Sequence, residues 1–361
     1  MTLSASIVAR LSGGFTLDVS LSVPAGITIV FGASGSGKTT LFRCLAGLVR
    51  PDSGRITVGD RTLFDSATGT DVSPQQRRSG FVFQQLALFP HMSVADNLEY
   101  GLATLPASER RERTRTIASS FRLSHLLSRR PTAISGGERQ RAALARSLVT
   151  DPAFLLLDEP LSALDLHTQS HIVDDLRVWN AAHRIPVLYV THAHREVFAL
   201  GERVIVLEGG RVIAEGTPHD VLEMPSQESL AQLAGFENFF DATVLERRVD
   251  QGTMRCRLQA AGTELEVPLA NAEVNARVRL AVRAGDILLA TEEPRGLSAR
   301  NVLPGTLVSL RREGATVITN VDAGARFIVH LTPGAAEALA LAPARPVWVI
   351  VKTHSCRVVS Q

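Results

Sequence analysis

The first 235 residues alternate short apolar runs with segments of helical periodicity. Three of the runs are almost continuously apolar, which is typical of parallel strands covered on both faces. They are residues 27–31, 154–157 and 187–190. A fourth run, residues 204–207, enters a Gly-Gly turn typical of a hairpin. A helix-rich stretch at residues 94–127 interrupts the sheet pattern. We therefore predict an α/β domain over residues 1–235.

The pattern changes after Gly235. Strand-like alternation then dominates, as in residues 263–267, and turn residues are frequent. The main helical pattern is a short alanine-rich segment at residues 335–341. This predicts a smaller all-β region with two sections, residues 236–297 and 298–361.

Length and charge narrow the possible functions. A chain of 361 residues is long enough for two or three folding units. Its formal net charge is only +2, so no basic field favours nucleic acid as a partner. The densest charge run, residues 109–115, mixes arginine with glutamate and indicates the solvated face of a helix.

Cysteine spacing and the length of the apolar runs bear on the compartment. Cys44, Cys256 and Cys356 are odd in number and widely spaced, which fits neither a disulfide framework nor a zinc site and suits a reducing compartment. The N-terminal segment lacks the apolar core of a signal peptide. No segment approaches the roughly 20 apolar residues of a membrane-spanning helix. We expect a soluble protein; if it acts in transport, the channel lies in another chain.

A glycine-rich segment directly after the first buried run predicts a phosphate-binding loop, because it stands between a predicted strand and a predicted helix. Its sequence is Gly32-Ala33-Ser34-Gly35-Ser36-Gly37-Lys38-Thr39. Glycines let several N–H groups point into one concavity, and the following helix N-terminus adds partial positive charge. Lys38 can supply a full charge to the β- and γ-phosphates, and the Thr39 hydroxyl can bind Mg²⁺. We predict ATP and Mg²⁺ as ligands. The nucleotide contacts would come from Gly32, Ser34, Gly35, Gly37, Lys38, Thr39 and Thr40.

Two carboxylates follow the second buried run. Asp158 stands at the carboxyl end of a predicted parallel strand, the end that faces the ligand crevice in such sheets. It is placed to hold Mg²⁺ opposite Thr39. Glu159 is one residue further and can polarise the attacking water as a general base. Without the phosphate-binding loop, the same pair would be interpreted as a turn.

A second anion site is indicated at Ser135-Gly136-Gly137-Glu138, which opens a segment of helical periodicity. Ser135 suits the N-cap, with Glu138 three residues later as in a capping box. Glycines at a helix N-terminus also leave N–H groups open to an anion. Two phosphate sites in one chain suggest that they face each other across a dimer.

Together these elements resemble the nucleotide-binding domain of ATP-binding-cassette (ABC) transporters over residues 1–235. Residues 134–138, Ile-Ser-Gly-Gly-Glu, resemble the signature LSGGQ and keep its Ser-Gly-Gly contacts. The resemblance makes Gln84 the Q-loop residue that senses Mg²⁺ and the permease, with Gln85 as the neighbouring alternative. In Ser162-Ala163-Leu164-Asp165 it makes Asp165 the D-loop residue that reaches across the dimer.

The resemblance also assigns His192 and Phe15. His192 follows the third buried run and resembles the switch histidine that contacts the γ-phosphate. Phe15 lies in the region of the adenine-stacking aromatic, where the family usually has tyrosine; a core phenylalanine is the alternative. The implied catalytic residues are Glu159, His192 and Gln84, and the implied metal ligands are Thr39, Gln84 and Asp158.

An ATP clamp formed by two copies of this chain is the implied mechanism. Each ATP would contact Lys38 and Thr39 of one copy and Ser135, Gly136 and Gly137 of the other, so that ATP stabilises the closed homodimer. The implied partners are two transmembrane permease subunits and, indirectly, a periplasmic or extracellular substrate-binding protein. We expect a peripheral protein at the cytoplasmic side of the membrane. Its residues 88–94 resemble the segment where the permease docks.

The C-terminal region resembles the molybdate-binding Mop/TOBE module, an OB-like β-barrel, in residues 298–305 and 349–353. The whole arrangement resembles the ATP-binding subunits of molybdate importers. Several side chains there suit a tetrahedral dianion such as molybdate or tungstate. They are Ser298, Arg300, Asn301 and Lys352. The alternative is that this barrel only dimerises the subunits or supports the clamp.

Other interpretations keep part of this picture. An importer ATPase for tungstate, sulfate, ferric iron or sugar would share the same elements. ABC ATPases of DNA repair need long coiled-coil insertions, and ribosomal ones usually carry two cassettes in one chain; the sequence has neither feature. A non-catalytic oxyanion sensor is disfavoured by the intact Lys38, Asp158 and Glu159.

Overall fold

The computed structural model describes residues 1–11, 13–162, 164–259 and 262–359. By its contacts the chain divides into two compact units, Met1–Pro218 and His219–Gln361. Among the described residues, no helix combines the length and apolar character needed to span a bilayer. Cys44, Cys256 and Cys356 are all buried with free thiols.

The first unit contains two sheets and a set of helices. Its strands are β1 Leu3–Arg10, β2 Thr16–Val23, β3 Gly26–Phe31, β4 Ser53–Val58, β5 Arg61–Asp65, β6 Thr70–Asp71, β7 Ser79–Val82, β8 Phe154–Asp158, β9 Pro186–Val190, β10 Arg203–Glu208 and β11 Arg211–Gly216. Its helices are α1 Lys38–Ala46, α2 Val94–Glu99, α3 Ala107–Ser120, α4 Gly136–Leu148, α5 Leu166–His183 and α6 His194–Leu200.

The larger sheet of this unit has the order β11-β10-β3-β9-β8-β7, and its strands are parallel except for β11. Every residue of β3 and β9 is buried, as their continuous apolar sequence predicts. The segment from α2 to α4 forms the crossover between the neighbouring strands β7 and β8. This is the helix-rich stretch expected from the sequence, and the charged run of residues 109–115 lies in α3.

The second sheet, β2-β1-β4-β5-β6, is antiparallel. Its strands β1 and β2 alternate buried and exposed residues, which is the pattern of a sheet with one covered face. The covered face packs with α1 and one face of the parallel sheet in a single core. That core includes Leu17, Leu41, Phe42, Leu156 and Leu207. Packing in this core fixes the position of α1 and of its N-terminus, which follows the glycine-rich loop of residues 32–37.

The second unit is largely antiparallel. Its elements are α7 Glu228–Leu233, β12 Asn238–Arg248, β13 Thr253–Leu258, β14 Glu264–Pro268, β15 Arg277–Val282, β16 Ile287–Ala290, β17 Asn301–Glu313, β18 Thr316–Asp322, β19 Arg326–Leu331, α8 Pro333–Ala338, β20 Pro346–Val351 and β21 Cys356–Val359. The two sheets have the orders β14-β13-β12-β15-β21 and β16-β20-β17-β18-β19. The two predicted sections therefore exchange strands. β21, from the section after residue 297, completes the sheet of β12–β15, and β16, from the section before it, joins the sheet of β17–β20.

Two buried asparagines join these sheets, which share one apolar core. Asn238 of β12 donates from Nδ2 to the Ile328 carbonyl at 2.9 Å and accepts at Oδ1 from the Ile328 N–H at 2.6 Å. Asn301 of β17 makes the same pair of hydrogen bonds to the backbone of Glu266, at 2.9 and 2.6 Å. Each amide thus acts as an additional peptide group between the sheets.

Candidate active site

A cavity of about 450 Å³ lies at the carboxyl ends of the parallel strands. It is lined by Leu11, Phe15, Ser34, Gly35, Gly37, Lys38, Thr39, Thr40, Gln84, Asp158, Glu159 and His192. The polar residues follow β3, β7, β8 and β9, which are neighbours in the sheet. Ligands bind at this edge of open α/β sheets because loops from adjacent strands converge there.

The glycine-rich loop between β3 and α1 encloses the Lys38 side chain. Gly35 and Gly37 have φ angles of 81° and 106°, which favour glycine. Lys38 Nζ donates to the carbonyls of Gly32 and Ala33, both at 2.8 Å. Burial lowers the pKa of the Lys38 ammonium, while the charges of Glu159 and Asp158 act in the opposite direction. The loop also buries Ser36, whose Oγ has no hydrogen-bond partner among the described residues.

Phe15 borders the same loop and is partly buried. A Cβ atom built on Gly37 would lie 2.9 Å from Phe15 Cζ, so the ring packs against the backbone where α1 begins. Because the ring also lines the cavity, it offers an aromatic surface next to the loop. The side chain therefore contributes to both the core and the cavity wall.

Thr39 and Asp158 place two oxygen atoms side by side. Thr39 Oγ1 donates to Asp158 Oδ2 at 3.2 Å. Burial raises the pKa of the Asp158 carboxyl, and the hydrogen bond from Thr39 opposes this shift. A hydroxyl and a carboxylate are hard oxygen ligands of the kind that Mg²⁺ prefers, so the donor set fits this ion.

Glu159 is held between two side chains. His192 Nε2 lies 2.8 Å from Glu159 Oε1, and Gln84 Nε2 donates to Glu159 Oε2 at 3.4 Å. Glu159 has a φ of 46°, a left-handed conformation that costs a residue with a Cβ about 1–2 kcal/mol. Its backbone is fixed by an N–H bond to the Val190 carbonyl at 3.1 Å. Glu159 therefore lines the cavity together with Asp158, with its carboxylate held at both oxygens.

The predicted second anion site lies apart from this cavity. Ser135 caps α4, with its Oγ accepting from the Glu138 N–H at 3.3 Å and its own N–H donating to Glu138 Oε2 at 2.7 Å. Hydrogen bonds from the Ser135 N–H, and after it from the Ser135 hydroxyl, lower the pKa of the Glu138 carboxyl. The capping box expected from the sequence is therefore present. Ser135, Gly136 and Gly137 do not line the cavity that contains Lys38.

Asp165, the predicted D-loop residue, is also outside the cavity. Its carboxylate caps α5 by accepting from the N–H groups of His167 and Thr168, at 3.1 and 3.0 Å. Thr168 in turn lies so close to Gly137 that a Cβ at that position would clash with its methyl group. The starts of α4 and α5 are thus packed together. Ala163, in the same predicted loop, lies outside the described residues.

Two features of the site escaped the sequence interpretation. Leu11 contributes to the cavity, although nothing in its local pattern separates it from a core residue. Tyr189 donates its buried hydroxyl to Glu196 Oε2 at 2.7 Å, which ties β9 to α6 on either side of His192. Burial raises the Tyr189 pKa well above its ordinary value, so the phenol stays protonated.

Gln85, the alternative to Gln84, does not line the cavity.

Three of the predicted oxyanion residues lie at one end of a strand pair in the second unit: Arg300, Asn301 and Lys352. Asn301 pairs with Val351 across β17 and β20, so Arg300 and Lys352 flank the same end. Both of these cations and Ser298 are exposed. The Asn301 amide is buried and engaged with Glu266 through both of its polar atoms.

Comparisons with known proteins agree with this architecture. The ABC transporter family model matches residues 16–162, and the TOBE domain model matches residues 297–358. The molybdenum import ATP-binding protein ModC of Mesorhizobium japonicum is 39% identical, with 95% of this chain and 93% of that protein covered. The ModC protein of Rhizobium etli is 38% identical, with 98% and 99% covered.

Solved structures match the first part of the chain. A dimeric ATP-binding cassette in a post-hydrolysis state, bound to ADP and Pi, is 28% identical with a TM-score of 0.52, covering 60% of this chain and 99% of that one. CbiO1 of Clostridium perfringens, part of an ABC transporter complex, is also 28% identical, with a TM-score of 0.55 and coverage of 61% and 90%.

The sequence predictions of an ABC cassette followed by an all-β TOBE region are therefore confirmed. The identity to the ModC proteins extends over both parts of the chain rather than over the cassette alone. The chain belongs to the ATP-binding proteins of ABC transporters, the ABC ATPases, in the group whose members are named molybdenum import ATP-binding protein ModC.

Proposed function

We propose that this protein hydrolyses ATP to energise the uptake of molybdate through a separate membrane permease. The observation that carries the proposal is the single cavity in which Lys38, Thr39, Asp158, Glu159 and His192 meet. The names of the relatives supply the cargo, since proteins alike over nearly the full chain are called molybdenum import proteins. We infer that the protein acts at the cytoplasmic side of the membrane as a peripheral subunit.

Binding of ATP would use the loop first. Lys38 now donates to two loop carbonyls, and a phosphate oxygen would compete for the same ammonium with a full negative charge. The N-terminus of α1 and the loop N–H groups favour the same anion. Phe15 would stack on the base, because any base offers a face to an aromatic ring.

Hydrolysis would depend on Glu159. Its carboxylate would accept a proton from the attacking water, with the orientation set by His192 and Gln84. Thr39, Asp158 and Gln84 would hold Mg²⁺. When bound, this ion neutralises the negative charge that develops on the phosphate oxygens during hydrolysis. His192 would contact the γ-phosphate and register its loss.

Two copies of the chain would be required for a complete site. Ser135, Gly136 and Gly137 lie apart from Lys38 within one chain, and a helix N-terminus of this kind is an anion site. We propose that they bind the γ-phosphate held by the partner copy, and that Asp165 lies close to the same interface. ATP would then stabilise a closed homodimer by binding it preferentially.

The second unit would respond to the cargo. Arg300 and Lys352 flank one strand end, and two cations with the Ser298 hydroxyl suit a tetrahedral dianion. Asn301 would act through its bonds to Glu266, by fixing the start of β17 directly after Arg300. Molybdate and tungstate share this chemistry.

Reconstitution of the full chain with its permease subunits in liposomes tests the function. We expect ATP-dependent uptake of molybdate and a lower rate for sulfate, ferric iron or maltose. Uptake of one of the latter in preference to molybdate would contradict the cargo. Absence of any ATP hydrolysis by the assembled transporter would contradict the activity.

Equilibrium binding of molybdate, tungstate and sulfate to the purified full chain tests the second unit. We expect binding of molybdate and tungstate that is weakened at least tenfold by an Arg300→Ala and Lys352→Ala double variant, since two charge-assisted hydrogen bonds are lost. An Arg311→Ala variant, which removes an exposed arginine of β17, is the control. Equal affinity in all three proteins would exclude Arg300 and Lys352 as anion ligands. Absence of binding in all three would favour a barrel that only dimerises the subunits or supports the clamp.

A further inference from the structure

Arg146 connects α4, the helix that Ser135 caps, to the loop that carries Gln84. It lies near the end of α4, and its guanidinium reaches the segment after β7. Nη1 donates to the Ala87 carbonyl at 2.7 Å, and Nη2 donates to the Leu86 carbonyl at 3.1 Å. The guanidinium carbon also lies 5.4 Å from the centre of the Phe89 ring, within the range of a cation–π contact.

The two residues held by Arg146 have strained backbones. Leu86 and Ala87 have φ angles of 59° and 48°, so two consecutive residues with a Cβ adopt the left-handed conformation. Such residues occur singly as a rule, and they persist where the surroundings over-determine them. The turn is tight, because the Leu86 N–H donates to the Phe83 carbonyl at 2.9 Å and the Ala87 N–H to that of Gln85 at 2.6 Å.

This strained turn lies close in sequence to Gln84, the residue that faces the catalytic carboxylate. Only Gln85 separates Gln84 from Leu86, and Gln84 donates to Glu159 Oε2 at 3.4 Å. The side chain of Gln84 is exposed, so no packing of its own fixes its position. The position of its amide therefore depends on the backbone on either side, which is β7 before it and the turn after it. Arg146 binds two carbonyls of that turn.

We propose that Arg146 is a positioning residue for ATP hydrolysis, which holds the Gln84 loop in its strained conformation and links that loop to the helix beginning at Ser135. This inference rests on the proposed ATPase function. The link is short and direct: α4 carries the signature segment at its start and the Arg146 clamp near its end. A shift of α4 on dimer closure would move Gln84 through two hydrogen bonds. The same guanidinium contacts Phe89, in the segment expected to meet the permease.

The bidentate geometry explains why arginine is required. A guanidinium presents parallel N–H groups to two acceptors at once, whereas a lysine ammonium is a flexible point charge. Arg146→Lys keeps the charge and most of the aliphatic stem but leaves one of the two carbonyls without its donor. The variant thus tests the geometry of the clamp rather than the presence of a cation.

Steady-state ATP hydrolysis by the purified full chain is the first measurement. For Arg146→Lys we expect kcat to fall about tenfold, because a misplaced group costs rate steeply. KM for ATP should stay within about twofold, since Arg146 touches none of the loop residues around Lys38. Arg113→Lys, the same exchange at an arginine that pairs with Glu109 at 2.9 Å on α3, is the control and should leave both parameters unchanged.

A rescue separates positioning from general stability. Glycine adopts the left-handed conformation without cost, and the Ala87 side chain is exposed. Ala87→Gly should therefore recover part of the kcat lost in Arg146→Lys, while it changes the wild type little. Hydrogen exchange at the Leu86 and Ala87 amides gives a readout independent of activity: we expect faster exchange in Arg146→Lys.

Unchanged kcat and unchanged exchange in Arg146→Lys would overturn the proposal, as would a further loss of kcat on adding Ala87→Gly. A wild type without ATPase activity, both alone and in the assembled transporter, would instead refute the proposed function. In that case the exchange rates of the two amides would still decide whether Arg146 holds the loop.

Discussion

His192 and Glu159 contact each other across the ends of two adjacent strands, with Nε2 of the histidine 2.8 Å from Oε1 of the glutamate. The contact holds the carboxylate at one oxygen, while Gln84 approaches the other. A general base needs a fixed orientation towards the water it polarises. The contact therefore makes Glu159 the first residue whose role should be tested.

Glu159→Gln should retain ATP binding and lose hydrolysis, because the amide keeps the shape of the side chain but cannot accept the proton. We expect kcat to fall by a factor of about 10² to 10⁴. Phosphate release measures the rate, and equilibrium dialysis with labelled ATP measures binding. Glu112→Gln, at an exposed position of α3, is the matched control. A Glu159→Gln rate within twofold of the wild type would exclude Glu159 as the base.

Lys38→Ala should weaken the binding of ATP, in addition to any effect on the rate of hydrolysis. The ammonium is the charged donor enclosed by the loop, and charge-assisted hydrogen bonds contribute about 1.5–3 kcal/mol. We expect the dissociation constant for ATP to rise about 10- to 100-fold. Titration with a fluorescent ATP analogue gives the constant. Affinity equal to that of the wild type would remove Lys38 from the phosphate site.

Arg77→Ala should destabilise the first unit. The side chain of Arg77 is fully buried, and its guanidinium donates to the carbonyls of Cys44 and Leu45 at the end of α1 and to Asp71. The variant loses hydrogen bonds from a charged donor to buried backbone carbonyls, and each such bond contributes about 1.5–3 kcal/mol. Urea unfolding followed by Trp179 fluorescence, in a Trp348→Phe background, measures the change.

Arg50→Ala is the control for Arg77→Ala. Arg50 also faces Asp71, at 3.6 Å, but its side chain is 68% exposed. Exposed pairs of this kind contribute about 0–1 kcal/mol. Equal destabilisation by the two variants would mean that burial of the Arg77 guanidinium does not matter.

The second unit should lose stability in alkaline solution through its buried thiols. Burial raises the pKa of Cys356 from 9.0 to about 12, so the native thiol stays protonated at pH values where the unfolded thiol ionises. Its contribution is complete below pH 9 and is lost as the pH rises towards 12. For Cys356 alone this loss amounts to about 1 kcal/mol between pH 8 and pH 10.

Comparison of Cys356→Ala with the wild type isolates the contribution of this thiol to the pH dependence of the unfolding free energy. In a Trp179→Phe background, Trp348 is the remaining tryptophan and reports on urea unfolding of the second unit. We expect a shallower fall of the unfolding free energy between pH 8 and pH 10 in the variant. Parallel pH dependences in the two proteins would contradict the assignment.

Local patterns predicted the parts of the fold that follow from short stretches of sequence. The buried strands β3, β8 and β9 follow from continuous apolar runs, and the capping box at Ser135 follows from a spacing of three residues. The residues around Lys38 were likewise predicted, because a phosphate-binding loop is contiguous. The structure places all of its predicted nucleotide contacts except Gly32 in the cavity wall.

Relationships that depend on distant residues were not accessible in this way. The clamp of Arg146 on Leu86 and Ala87 joins positions about 60 residues apart, and left-handed φ angles at residues other than glycine leave no mark in composition. Asn301 has the donor chemistry of an anion ligand, yet only the fold reveals that its amide binds the Glu266 backbone.

The strand β21 has a consequence for the synthesis of the chain. It completes the sheet that starts at Asn238 by pairing with β15, although more than 70 residues separate the two in the sequence. A ribosome would have to translate beyond Val359 before that sheet could close. Until then the β15 edge would be open to other strands, so the second unit should gain its native form only after the cassette has already folded.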